Sequence, residues 1–160
     1  MEGFKIIYLT DGSAVKVDSG DFNFLSEFKW SRCSYANCFY AVTRKVVDGR
    51  KTAFLMHRLI MKASHGIIVD HVNHDGMDNR KSNLRFATHT KNLQNSRKMC
   101  ESSSIYKGVY WCNRANKWIT QIKVNKRKIM HTFERELDAA LKYDSMAREY
   151  FNEFAAVNFN

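Results

Sequence analysis

The stretch from Val69 to Asn95 reads VDHVNHDGMDNRKSNLRFATHTKNLQN. It places Asp70, His71, His74, Asp75, Asp78, Asn79, Asn83, Asn92 and Asn95 close together in the chain. Those residue types suit hydrolysis of a phosphodiester. That reaction needs a base to activate water, a hard cation to neutralise charge on the phosphorane, and a frame that holds both. A histidine titrates near neutral pH and fits the first role. Carboxylate and amide oxygens fit Mg²⁺, which takes few protein ligands and keeps most of its waters. Any one Asn or Asp here is equally at home in a turn, bonded to its own backbone. His57, His65, His74, His89 and His131, taken singly, read as structural or solvated. The chemistry lies in the set.

The elements that must hold this set follow from local pattern. Lys5–Leu9, Ala14–Val17, Phe39–Arg44 and Thr52–Met56 favour strands, with Asp11-Gly12, Gly20-Asp21 and Asp48-Gly49 as turn signals between them. Phe22–Phe28 and His57–Ser64 read as short helices, the second with Leu59, Ile60 and Ala63 on one side. Ile67–Val72 reads as an apolar strand, and Phe86–Lys98 as a helix starting near Thr88, a good N-cap. Further on, Val109–Cys112, Lys117–Asn125 and Lys128–Phe133 form three strands. In the middle one Trp118, Ile122 and Val124 alternate with Lys117, Gln121 and Lys123. Glu134–Phe154 has helical spacing, with Leu137, Ala140, Leu141, Tyr143, Ala147, Tyr150 and Phe151 on one side. Three strands and one amphipathic helix cover each other's apolar faces.

Charge points to the partner. The 160 residues hold 26 Lys and Arg against 16 Asp and Glu, a net +10. From Asn79 to Phe133 there are thirteen basic residues and one acidic, Glu101, interleaved with Tyr106, Tyr110, Trp111 and Trp118. A tract this one-sided draws phosphates in and releases counterions. A 44% hydrophobic content excludes a disordered chain. No apolar run reaches the ~18 residues of a membrane helix and no signal peptide is visible, so the expected location is the cytoplasm. Cys33, Cys38, Cys100 and Cys112 form no C-x-x-C pair, so reduced thiols are expected and no structural zinc.

The spacing of Asp70-His71, Asn83 twelve residues on and Asn92 nine further resembles the HNH nuclease motif. The surrounding words agree: DH-x-N-x-D-x-x-DNR-x-x-NLR-x-x-T-x-x-x-N, with Met56-His57-Arg58-Leu59 upstream as in the phage and intron-encoded branch. The resemblance implies two short antiparallel strands and a helix around a cation, the ββα-metal arrangement. It makes His71 the general base, Asp70 and Asn92 the metal ligands, and Asn83 the residue that bonds across the loop and orients His71. The ion implied is Mg²⁺, with Mn²⁺ also admitted by an oxygen-rich site. Where relatives often have Gly, this chain has His74, which could add a ligand, contact DNA or do nothing.

Residues Ser104–Asn160 resemble the APETALA-type, or ethylene-response-factor-like, DNA-binding domain through YKGVYW, KWITQIKV, HTF, AALKYD and NEFAAVNF. That likeness implies a sheet lying in the major groove with the helix behind it. By position, Lys107, Tyr110, Arg114, Gln121 and Lys123 face DNA, and Lys126, Arg127 and Lys128 hold phosphates. Trp118 belongs to the core, and Trp111 fits either face. Tyr110 stands where plant members have a base-reading arginine, so their target does not transfer. His131 replaces a glycine, and Arg135 falls where a Thr or Ser cap is usual.

Together these readings give an α+β chain. A β-rich N-terminal region leads into the HNH nuclease motif, then a small three-stranded antiparallel sheet packs on one α-helix. The expected domains are 1–100, with the motif at about 55–98, a linker at 101–104, and 105–160. The expected function is a metal-dependent endonuclease of homing type acting on double-stranded DNA. A monomer with one site would nick most simply. No membrane or small-molecule partner is expected, and residues 1–55 carry no evident chemistry. The competing readings are a non-catalytic DNA-binding regulator on an HNH scaffold and, more remotely, an RNA-directed protein.

Overall fold

The computed structural model describes residues 3–35, 38–96 and 102–159. Cys100, Glu101 and the basic pair Arg97-Lys98 lie outside the described residues. The chain divides into two compact units, Met1–His89 and Thr90–Asn160.

The first unit is built from hairpins. β1 (Phe4–Tyr8) pairs antiparallel with β2 (Ala14–Asp18). The helix α1 (Ser19–Ser26) follows, and then a three-stranded sheet of β3 (Ser31–Tyr35), β4 (Cys38–Val47) and β5 (Arg50–Leu55) with β4 in the middle. The polar SRCSY segment of β3 carries little strand signal of its own. It is extended because β4 supplies its partners, from Ser31 opposite Val42 to Tyr35 opposite Cys38. Helix α2 (Met56–Ile60) is shorter than the expected 57–64, and the chain leaves it with Lys62 in the left-handed region at φ 48°. The core beneath these elements holds Val15, Val17, Leu25, Trp30, Met56 and Val69. Each such side chain contributes about 1.5–3 kcal/mol when removed from water.

β6 (Ile68–His71) and β7 (Leu84–Ala87) form a separate antiparallel pair, with Asp70 opposite Arg85 and His71 opposite Leu84. The helix expected from Phe86 is therefore a correction. Phe86 is a strand residue opposite Val69, and α3 runs from His89 to Asn95. The pairing offered by β6 overrides the local pattern of Phe86–Ala87.

The second unit follows the expected order. β8 (Val109–Cys112), β9 (Lys117–Val124) and β10 (Arg127–Phe133) form an antiparallel sheet with β9 central. β9 and β10 are joined by Asn125 and Lys126, both at positive φ, which suits a two-residue hairpin. Helix α4 (Glu136–Phe151) packs on the sheet through Ala139, Ala140, Tyr143, Met146, Ala147 and Phe151. Leu137, Leu141 and Tyr150, expected on this face, are exposed instead. The buried stripe takes in Ala139 and Met146 in their place. Arg135 caps the helix without a side-chain hydrogen bond. Trp118 packs partly buried against this core, with the Trp111 ring edge-on to it at 5.2 Å.

Two closures hold the unit. Buried Asp144 accepts from the backbone of Asn158 and Phe159, and the Asn158 amide bonds the backbone of Lys107 in both directions. Gly108 sits at φ 74°, and a Cβ there would collide with the Tyr143 ring. Left-handed strain and overpacking then act together, so Gly108→Ala should cost about 3 kcal/mol in denaturant unfolding. A loss under about 1 kcal/mol would show that the Tyr143 contact is loose.

Candidate active site

Asp70 and His71 end β6, and Asn83 heads β7 after a 3-10 turn over Lys81–Asn83. The loop between them is irregular yet partly buried, so its polar groups need partners. Asn83 supplies several. Its Nδ2 donates to Asn73 Oδ1 at 2.9 Å and to the Asp78 carbonyl at 2.8 Å, while its Oδ1 accepts from the Asn73 N–H at 3.0 Å. The Asn83 carbonyl accepts from Val72. Asn83 bonds across the loop, and the residue touching the His71 ring is Asn79.

Asn79 is fully buried, with Oδ1 3.4 Å from His71 Nε2. Its Nδ2 donates to the Gly76 carbonyl, which turns the amide oxygen toward His71. In the tautomer with Nε2 as the donor to Asn79, the basic lone pair is on Nδ1. Burial pushes the pKa of His71 down, against the opposing pull of Asn79, Asp70, Asp75 and Asp78. A buried, neutral imidazole results.

Asp70 Oδ2 accepts from Arg85 Nε at 2.9 Å, and Arg85 Nη2 lies 2.8 Å from the same oxygen as an ion-pair contact. Asp78, 2% exposed, takes Arg80 on both oxygens and the Asn73 amide on one. The Arg80 bonds hold its carboxyl below the usual carboxylate range.

Residues 1–55, assigned no chemistry, brace this loop. The backbone of Lys16 accepts from Asn79 N–H and donates to the Met77 carbonyl, and Asp18 accepts from Lys81 N–H while Asp21 pairs with its ammonium. Gly76 has no room for a side chain, because a Cβ would collide with the Phe39 carbonyl and lie 2.8 Å from the Tyr40 ring. His74 stands at φ 63°, the backbone region that glycine adopts freely and other residues adopt at a cost of roughly 1–2 kcal/mol. That explains why a glycine suits this position. His74→Gly should raise stability by up to about 1 kcal/mol in thermal unfolding, and a loss instead would mean the side chain's own contacts matter more.

Asn92 lies half-buried on α3, in the second unit, and Asp70, His71 and Asn83 lie in the first. Among the described residues no three His, Cys, Asp or Glu side chains gather as a metal cluster. Within the first unit the oxygen donors of the motif are the Asp70 carboxylate and the loop amides. They fit a hard ion that keeps most of its waters and takes the rest of its shell from phosphate.

In the second unit the register sorts the expected DNA-facing residues. Tyr110, Gln121, Lys123 and Lys128 share the sheet face away from α4, with Met130 and Thr132 beside them. Arg127 pairs with Val124 on the opposite face, Arg114 lies exposed in the β8–β9 turn, and Lys126 in the β9–β10 turn. Lys107 differs. Its ammonium donates to the carbonyls of Gln94 and Ser96, both at 2.6 Å, at the end of α3. Burial pushes it down to about 8, though the two acceptors favour the charged form.

The His71 ring also meets a buried His57 and a half-buried Tyr40, which the sequence did not pair with it. His57 lies 4.9 Å away edge-on, and Tyr40 lies 5.8 Å away and 5.5 Å from His57. His57 carried a signal in the Met56–Leu59 word, but Tyr40 carried none. Burial is the main cause that lowers His57 to about 3 and raises Tyr40 to about 12.

The HNH endonuclease family model matches residues 54–94, which contain α2, both strands and the loop. A relative described as an uncharacterized HNH endonuclease, from Acanthamoeba polyphaga mimivirus, is 32% identical over 145 residues, covering 87% of this chain and 75% of its own length. The chain belongs to the HNH endonuclease family. At 87% coverage the likeness cannot be confined to the first unit. No solved structure matches significantly. Among the described residues no helix is long and apolar enough to cross a membrane.

The histidines set an acid limit on stability. Between about 3 and the ordinary 6.5, an unfolded chain takes up a proton that folded His57 refuses. The stability from this site is full above pH 6.5 and is lost as pH falls toward 3. His57→Phe removes that proton, so its loss of stability between pH 7 and pH 5 should be smaller than wild type's in urea titrations. Equal losses would show that His57 is protonated in the folded chain.

Proposed function

We propose that this chain is a metal-dependent endonuclease of homing type that hydrolyses phosphodiester bonds in double-stranded DNA. The observation that carries the reading is a buried, neutral His71 with Asn79 Oδ1 3.4 Å from its Nε2, within the segment that matches the HNH family. HNH nucleases generally use a divalent ion. Asp70 and Asn92 are its ligands in this reading, with Mg²⁺ first and Mn²⁺ also admitted. When bound, such an ion neutralises charge on the scissile phosphate and on the leaving 3′ oxygen.

The chain's own residues supply the rest. His71 takes the proton of a water through Nδ1, and the hydroxide attacks phosphorus. The imidazolium formed keeps its Nε2–H on Asn79, with Asp70, Asp75 and Asp78 opposing its positive charge. Asn83 keeps the loop closed, and Arg85 orients the Asp70 carboxylate. A monomer with one such site nicks one strand.

The second unit serves as the DNA reader, an APETALA-type module in order and motif. Tyr110, Gln121 and Lys123 on the outer sheet face meet the groove, with Arg114 at its edge. Lys126, Arg127 and Lys128 sit beside the phosphates. Charge supports this: the exposed cations of β9, β10 and their turn have few acidic neighbours.

Supercoiled plasmid incubated with Mg²⁺ or Mn²⁺ should become open-circular with wild type and remain supercoiled with His71→Ala, while both bind duplex DNA. If wild type leaves plasmid intact across divalent ions yet binds it, the chain is a DNA-binding regulator. Lys123→Ala should lower the slope of log affinity against log salt by about 0.9, the value for one phosphate contact on duplex DNA. Lys107→Ala should leave the slope unchanged, because its ammonium is bound to carbonyls within the chain.

A further inference from the structure

The word Met56-His57-Arg58-Leu59 has no part in the chemistry assigned above. Three of its roles are plain. Met56 is core, Leu59 packs beside it, and Arg58 donates to the carbonyls of Ala63, Ser64 and Ile67, closing the connection from α2 to β6. His57 is left over. It is 6% exposed, and its Nδ1 is buried with no hydrogen-bond partner among the described residues. Its ring contacts are directed at two side chains, edge-on to His71 at 4.9 Å and tilted against Tyr40 at 5.5 Å.

We propose that His57, together with Tyr40, is a positioning residue that sets the ring plane of His71. The inference rests on the reading of His71 as the general base. β6 fixes the backbone of His71, but the terminal torsion of an imidazole has a broad preference. The Asn79 contact, at 3.4 Å, is long for a hydrogen bond and constrains the plane weakly. Ring contacts are direction-dependent, and two rings from different strands and helices leave His71 one plane. The wall is itself backed. Gly76 lies against the Tyr40 ring with no space for a Cβ. The two imidazole planes stand 76° apart, an edge-to-face arrangement. A small misplacement of a reacting group costs as much as a hundredfold in rate.

The test uses the full chain with His57→Leu, which keeps apolar volume without a ring, and His57→Phe, which keeps the ring. Single-turnover cleavage of duplex DNA with Mg²⁺ should slow about tenfold or more in His57→Leu, with the DNA Kd within about twofold of wild type. His57→Phe should return to within about threefold, and the ring C–H resonances of His71 should move in the Leu variant and return in the Phe variant. Cleavage by His57→Leu within twofold of wild type overturns the proposal, as does a Phe variant equally slow. If His57→Leu fails to fold, Tyr40→Leu against Tyr40→Phe tests the same wall by the same readouts. If wild type itself does not cut DNA, the nuclease reading has failed on its own. The His71 resonances then decide, and a His71 ring unmoved in His57→Leu overturns the positioning role.

Discussion

Asn83 is the joint on which the first unit's site depends. One side chain bonds Asn73 in both directions and donates to the Asp78 carbonyl, so it ties the start and the middle of the β6–β7 loop to the head of β7. A buried loop without regular hydrogen bonding is unstable unless each polar group finds a partner. Here the partners are almost all Asn and Asp side chains. Removing one leaves others unsatisfied, so the loop behaves as a unit rather than as a sum of contacts. Asn79 is held within the same network, by Gly76 and by the Lys16 backbone, and through it the His71 ring.

The β-rich N-terminal region acquires a purpose from this constraint. β2 accepts and donates through Lys16, Asp18 takes the Lys81 N–H, and β4 presents Phe39 and Tyr40 to Gly76. A bracing role explains why a segment without catalytic residue types precedes the motif. The cations also sort by use. Arg85, Arg80, Arg58 and Lys107 are engaged inside their own units, on carboxylates or carbonyls. Lys123, Lys126 and Lys128 are exposed on the sheet or its turn. Net charge alone does not distinguish these two groups, because a lysine's use depends on what surrounds its ammonium.

Much of the fold was legible locally. The turns at Asp11-Gly12 and Asp48-Gly49, the three strands and long helix of the second unit, and the reach of the HNH word followed from residue types at short spacing, whereas Gly20-Asp21, read as a turn, lies in α1. β3 and β7 were not legible. The SRCSY and LRFA segments carry little strand signal, and each becomes extended because a neighbouring strand offers partners. The face of α4 was misread at Leu137, Leu141 and Tyr150, which are exposed, while the buried stripe takes in Ala139 and Met146.

The sequence by itself determined the chemistry on offer: a histidine beside a carboxylate, amides at fixed intervals after it, and a basic stretch downstream. These are local facts, set by spacing along the chain. Tertiary structure alone decided which amide touches the base, which rings surround it and which lysine is spent inside the protein. Asn79 rather than Asn83 meets His71, Tyr40 and His57 wall it, and Lys107 turns to the end of α3. The reason is physical. Burial and ring contact arise between residues brought together by sheet pairing and core packing, and neither leaves a period in the sequence.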